Sequence, residues 1–423
     1  MRHLFFLFGL ITLTFLSCGK QNKEDSSYRI DIGAAMESIG DFGISEIAFD
    51  IAYVALETTD NSLIGAYPDF AVWRDKIVVS SMNQPLMVFN KEDGKFCNQI
   101  GHIGDDPEGF ATDGWGNIPF WIDQTNGTVY LRALGDIRLL RYNLDGTFLG
   151  SVTPVFRESE VTILSMYFLH ISNDVITAHN KYWHENEPYI YSFDAMNGQR
   201  LDTIASKVQP YPQGIISSSY QYNTYIKFGG LGRFYLDYSD NKAARIVPNS
   251  PSIWEYNGKT FLKEFFLDTV YTIQSSSLVP HLTLDLGKMK WPDDKIFEKD
   301  VSRGRLSIDY ILENENFIYF HLHTGLYEFG DNINPYCGFF NKKNGMAKIM
   351  KGDKIEDDIH NFLPISIRKV SSAGEFVGLI QVTEIMDWKE KNRNTIPTPI
   401  IQSLIEKDVE DNPVLVIGKL KKK

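Results

Sequence analysis

A strand, a tight turn and a second strand recur along this chain, three times at a fixed interval, and that repetition limits the possible folds more than any other feature. Phe89-Asn90-Lys91-Glu92-Asp93-Gly94-Lys95-Phe96 reads strand, turn, strand. Tyr142-Asn143-Leu144-Asp145-Gly146-Thr147-Phe148 repeats it 52 residues later, and Phe193 to Gln199, with Asn197-Gly198, repeats it after 52 more. Asp-Gly and Asn-Gly between β-prone runs are strong hairpin signals, because the tightest hairpin turns need positive φ. Asp268–Ile273 with Leu278–Leu286, and Phe339–Asn341 with Met346–Met350, supply a fourth and a fifth copy.

A further hairpin precedes each of these. The pairs are Asp69–Trp73 with Lys76–Ser80, Ile118–Ile122 with Thr128–Ala133, and Tyr167–Ile171 with Val175–Ala178. Tyr225–Phe228 with Phe234–Tyr238, Leu306–Leu312 with Phe317–His323, and Phe362–Val370 with Glu375–Thr383 complete six. Four strands per repeat around an axis make a β-propeller. The sixth repeat ends in one strand, Val414–Ile417, after a helix-like stretch from Glu384 to Val409 broken by Pro397 and Pro399. An orphan strand, Ala52–Leu56, lies near the start. Pairing the two closes the ring and removes exposed strand edges. The expected fold is all-β: a six-bladed propeller of four-stranded antiparallel blades, closed by the N-terminal strand, with a small helical insertion in the last blade.

Composition agrees. The 28 Phe, 21 Tyr and 7 Trp favour strands, and 54 acidic against 42 basic residues give a net charge of −12, which argues against a nucleic-acid partner. Leu4 to Leu16 is a thirteen-residue apolar run after Arg2 and His3, too short to span a bilayer and suited to a signal peptide. Ser17-Cys18 at its end resembles the bacterial lipoprotein signal, with Phe15 where Leu is usual; that resemblance makes Cys18 the lipid attachment site. Lys23-Glu24-Asp25 resembles the signal that sends some Bacteroidetes lipoproteins to the outer face of the outer membrane, although any solvated tether carries such charges. The expected division is a signal peptide at 1–17, a lipidated tether and lead-in at 18–44, and the propeller at 45–423. The expected location is the outer membrane, facing either the surface or the periplasm. The remaining thiols, Cys97 and Cys337, read as two buried thiols, with a disulfide between them as the alternative in an oxidising compartment.

The segments Ala55-Leu56-Glu57-Thr58-Thr59-Asp60, Ile100-Gly101-His102-Ile103-Gly104, Asp268-Thr269-Val270-Tyr271 and Asp411-Asn412-Pro413-Val414 resemble those of the Bacteroidetes six-bladed β-propeller lipoproteins. These are similar to NHL-type propellers. The resemblance spans roughly residues 45–420 and implies the fold; most members have no assigned activity, so it implies no catalytic residues.

Strand direction divides the connections between two faces. The turns Arg74-Asp75, Ser172–Asp174, Ala195–Gly198 and Lys342–Gly345 are short. The connections Gly101–Asn117, His179–Pro188, Asp202–Thr224, Ser239–Leu262, Gly287–Arg305 and Gly325–Pro335 are long, which makes that face the candidate for binding. Trp115, Trp183, Trp254, Trp291 and Trp388 fall on it, either as platforms for sugar rings or as apolar pins for long loops. Asp105, Asp106 and Glu108 share one loop, as calcium ligands, as an acid–base pair or as a solvated turn. His321 and His323 alternate on one strand, as a weak metal corner or as polar channel lining. His184 flanks a long loop beside Trp183, and Arg303 with Arg305 suits a carboxylate or sulfate.

No GxSxG, HExxH, P-loop or helix-opening GxGxxG motif is present. The function expected is a non-enzymatic binding or scaffold lipoprotein for a glycan, peptide or outer-membrane protein partner. The alternative is a carbohydrate-active lyase or hydrolase with a site assembled from several blades. No cofactor is expected, and a divalent ion such as calcium has no motif behind it.

Overall fold

The structure, a computed structural model, describes residues 28–110, 112, 118–133, 138–156, 167–180, 189–209, 216–222, 233–246, 252–327, 333–394 and 396–420. Six four-stranded antiparallel blades form a ring. Blades 1 to 5 span 69–100, 120–152, 167–205, 252–285 and 306–351. Blade 6 takes Ile367–Val370, Phe376–Ile380 and Val414–Lys419, and its outermost strand is Asp50–Ala55, paired antiparallel from Asp50↔Lys419 to Ala55↔Val414. The ring is therefore closed by the N-terminal strand, as the orphan segment implied.

The fourth blade corrects the sequence expectation. Its inner hairpin is Ser252–Tyr256 with Lys259–Lys263, not the pair at 225–238. Arg233–Tyr238 lies in a separate three-stranded sheet with Ile216–Tyr222 and Ala243–Ile246, while 225–228 fall outside the described residues. The turn between the two inner strands is Asn257-Gly258, both at positive φ, a hairpin signal within what reads as the long loop Ser239–Leu262. The segment Asp202–Thr224 likewise contains strand residues rather than one uninterrupted loop.

Apolar side chains pack between neighbouring blades. Val54, Phe70, Ile77 and Leu415 join blades 6 and 1; Val78, Val88, Val129 and Leu140 join 1 and 2; Tyr130, Ile171 and Tyr191 join 2 and 3. Phe261, Leu282, Ile308 and Phe320 join 4 and 5, and Tyr319, Phe339, Ile367 and Val416 join 5 and 6. Between blades 3 and 4 the described buried apolar cluster is small: Ile190, Ile204, Leu262 and Leu278. In the sequence, the additional three-stranded sheet falls between these two blades.

The repeated glycines serve this packing. Gly94 and Gly198, at φ +71° and +75°, press against the outermost strand or exit segment of the preceding blade. A Cβ at either would fall on a carbonyl oxygen, that of Ala55 or of Thr153. Gly is thus required twice over, by dihedral and by space.

Before entering blade 6, the chain runs along the rim. Tyr28–Asp31 adds a parallel fifth strand to the edge of blade 4, pairing Tyr28 with Leu282 and Asp31 with Asp285. Helix α1 (Ile32–Glu37) follows, its first turn capped by the Asp31 carboxylate accepting from Ala34 N at 2.8 Å. Phe42 and Ile44 then enter the core between blades 5 and 6. In blade 6, helices α2 (Val382–Lys391) and α3 (Pro399–Ile405) form the connection between its second and third strands. Pro399 occupies the first turn of α3, where a missing N–H costs nothing. Among the described residues no helix is long and apolar enough to cross a membrane.

Candidate functional site

The two faces of the ring differ in kind. At the short-turn face, hydrogen bonds tie each blade to the next. Trp73 Nε1 donates to Gln124 O (3.2 Å), Asn126 Nδ2 to Asp174 Oδ1 (3.2 Å), and the Ser172 hydroxyl to Glu255. Trp254 Nε1 donates to Glu313 Oε2 (2.7 Å), Asn314 Nδ2 to Gly374 O (3.0 Å), and Ser372 N to Val72 O (3.0 Å). These six contacts close a belt through all six seams. Short turns with their polar groups spent on each other leave little to offer a partner.

The opposite face carries the long connections, and two buried polar clusters lie beneath it. At the seam of blades 3 and 4, His179 Nε2 is 3.1 Å from Glu264 Oε1, and the Ser206 hydroxyl donates to the same oxygen at 2.5 Å. His179 and Glu264 are both buried. Burial pushes the Glu264 carboxyl up, but His179, Ser206 and Lys263 together outweigh it and hold the group below its ordinary range. Lys263 is buried too, its ammonium donating to the carbonyls of Glu264 (2.6 Å) and Phe265 (3.3 Å). Burial lowers its pKa to about 7, against the pull of Glu264 and Asp268.

The second cluster is in blade 5. His321 Nδ1 and His323 Nδ1 lie 2.9 and 3.0 Å from one oxygen, Asp309 Oδ2, and all three residues are at most 3% exposed. Asp309 occupies a β-bulge: the register of the inner strand shifts between Ile308 and Tyr310, which aims the carboxylate at both rings. A carboxylate only accepts, so each ring presents its Nδ1–H. Tyr310 stacks on His321 with centroids 5.2 Å apart. Asp353 is raised by burial, with His321 partly offsetting the rise. Phe265, next to Glu264, sits 6.5 Å from the His323 ring, which brings the clusters close together.

His321 and His323 are thus interior groups, not channel lining, and their third partner is Asp309. Both nitrogens converge on one carboxylate oxygen. Among the described residues no group of three or more His, Cys, Asp or Glu side chains is arranged to hold a metal ion.

The other expected site residues are dispersed. Asp105, Asp106 and Glu108 are exposed. Asp106 Oδ2 takes a 2.5 Å hydrogen bond from His102 and its Oδ1 accepts from Glu108 N at 3.0 Å, contacts that hold its carboxyl below the usual range. The loop is pinned by Tyr142 OH on Glu108 O and by Arg138 Nη1 on Pro107 O (3.1 Å). Arg305 donates through Nη1 to the carbonyls of Lys288 and Lys290, both at 2.9 Å, so it clamps its own connection, while Arg303 is exposed.

Trp254 is an inner-strand residue stacked on Phe261, not a loop platform. Trp291 is buried against Phe266 and Tyr327, and Trp388 of α2 packs on Phe362. For these two, pinning a connection is the role the geometry supports. Cys337 is buried, which pushes its thiol up to about 12, whereas Cys97 is exposed on the outermost strand of blade 1, contrary to expectation. Cys18, Trp115, Trp183 and His184 lie outside the described residues.

Ring, closure and connections define a six-bladed β-propeller whose long connections gather on one face. The chain belongs to the family of the domain of unknown function DUF4934, whose profile matches residues 27–419. Among solved structures it is similar to a Bacteroides fragilis protein described as exported, at 17% identity and a TM-score of 0.59, covering 94% of this chain and 99% of that one. It is also similar to a DUF4221 family member from Bacteroides vulgatus, at 11% identity and a TM-score of 0.46, covering 89% and 98%. No curated protein matches the sequence.

Proposed function

We propose that this protein is a cell-envelope lipoprotein, anchored through Cys18, that holds a glycan, peptide or protein partner on its long-connection face without chemical turnover. The observation that carries this reading is the asymmetry of the ring. One face is tied by short turns through every seam, and the other bears the connections around 101–119 and 286–305 and the helices of blade 6. Within each buried cluster the acid and histidine side chains bond to each other, which suits a rigid frame. The signal-like N-terminus and the exported neighbour from Bacteroides fragilis support an envelope location.

The test is a thermal-shift screen of the soluble chain from Glu24 onward against oligosaccharides, sulfated glycans, short peptides and divalent ions with and without chelator. A ligand at a hundred times its Kd adds about 2.7 kcal/mol. An unfolding entropy of about 2.1 cal/mol/K per residue gives about 0.8 kcal/mol/K for some 400 residues, so the shift is about 3 °C. A hit lost on substituting exposed residues of the long connections, with no product formed, supports the reading. Product formation, or a hit lost only on substituting short-turn residues, overturns it.

A further inference from the structure

The rim strand that precedes α1 sets how the propeller stands on a membrane. Ser277–Asp285, the outermost antiparallel strand of blade 4, runs from the short turn at Gln274–Ser277 toward the long connection that begins at Leu286. Tyr28–Asp31 lies beside it in parallel, Tyr28 against Leu282 and Asp31 against Asp285. The described chain therefore travels from the short-turn side toward the long-connection side as it enters the fold.

We infer that the lipid anchor leaves from the short-turn end of blade 4, so that the short-turn face is turned to the bilayer and the long-connection face is held away from it. This rests on lipidation of Cys18, part of the reading above. Ten Cα–Cα steps lead from Cys18 to Tyr28, a reach of at most about 33–36 Å. From the level of Leu282 down to Ser277 is five residues of strand, roughly 16 Å. A chain of that length has reach enough to cover that distance, with about half of it left for the headgroup region. To place the long-connection face on the bilayer instead, the chain must reverse at Tyr28 and pass the outer edge of α1 and the 286–305 connection. The belt of inter-blade hydrogen bonds thus lies on the membrane side, and the long connections lie where a partner arrives. A lipid surface is the partner this orientation assigns to the short-turn face.

The test uses the full chain, processed and lipidated, in phosphatidylethanolamine–phosphatidylglycerol vesicles carrying a headgroup acceptor dye. A donor is attached at Ser276→Cys, in the exposed short turn of blade 4, or at Asp294→Cys, in the exposed connection beyond the same blade. Both variants carry Cys97→Ser, and the buried Cys337 is retained. Position 276 and the start of the connection that carries 294 lie at opposite ends of a nine-residue strand, roughly 30 Å long. Energy transfer from position 276 is expected to exceed that from 294. Equal transfer, or stronger transfer from 294, in a protein that incorporates palmitate and floats with vesicles overturns the orientation and leaves the anchor standing. A protein that incorporates no palmitate removes the anchor, and the orientation with it.

Discussion

Replacing Asp309 with Ala takes away the carboxylate oxygen on which His321 Nδ1 and His323 Nδ1 converge, at 2.9 and 3.0 Å, in a site at most 3% exposed. Each hydrogen bond to a charged group is worth about 1.5–3 kcal/mol, and breaking a buried charged cluster by removing one member costs about 3–5 kcal/mol. At about 0.8 kcal/mol/K of unfolding entropy, 4 kcal/mol corresponds to a Tm about 5 °C lower. Asp309→Asn keeps one acceptor oxygen and should lose about half as much. Calorimetry at neutral pH, with far-ultraviolet circular dichroism to confirm the strand content, measures both. A Tm within 1 °C of the parent, estimated against that 5 °C shift, refutes the structural role. A raised Tm refutes it more sharply, because stabilisation on removing a buried charge is the signature of a group retained for chemistry at the expense of stability.

The turn glycines separate dihedral strain from contact. Gly345→Ala meets positive φ but open space and should cost about 1 kcal/mol, whereas Gly198→Ala also meets the Thr153 carbonyl and should cost roughly 3 kcal/mol or more; parallel denaturant melts compare them, and equal losses contradict the close approach. Lys263 gives a pH signature. Its folded pKa lies near 7, below the 10.5 of the unfolded chain, so the unfolded state binds the extra proton between those values and its contribution to stability rises with pH across that window. Lys263→Met should flatten the Tm-against-pH curve from 7 to 10.5 relative to the parent, and parallel curves contradict the burial argument.

The architecture was legible because a propeller writes its period into turn chemistry. Gly94, Gly146 and Gly198 mark the same turn in blades 1, 2 and 3. Blade 4 was misread because the aromatic run at 233–238 looks like an inner strand, while the real inner hairpin around Asn257-Gly258 sits behind Pro248 and Pro251. Simple alternation placed His321 and His323 on one side of a strand. It could not supply Asp309, whose aim depends on a one-residue bulge in the neighbouring strand. The His179–Glu264 pair joins residues 85 positions apart on different blades, and no local motif encodes it. Trp254 and Trp291 show the converse limit: aromatic character is plain in the sequence, but burial follows from which blade meets which.

Everything assigned to the two faces depends on the ring being closed by Asp50–Ala55 against Val414–Lys419, and a disulfide trap tests that pairing directly. Ala52 faces Ile417 and Ala55 faces Val414. These pairs are three residues apart, so one is hydrogen-bonded and the other is the closer, non-hydrogen-bonded type that suits a disulfide. In a Cys97→Ser chain from Glu24 onward, a closed ring requires that Ala52→Cys/Ile417→Cys or Ala55→Cys/Val414→Cys oxidise within one molecule. The product should run as a compact band on a non-reducing gel and melt several degrees higher, since linking ends this far apart adds roughly 6 kcal/mol by chain entropy. Failure of both pairs to oxidise, or oxidation only between molecules, would contradict the closed propeller and the division of its faces.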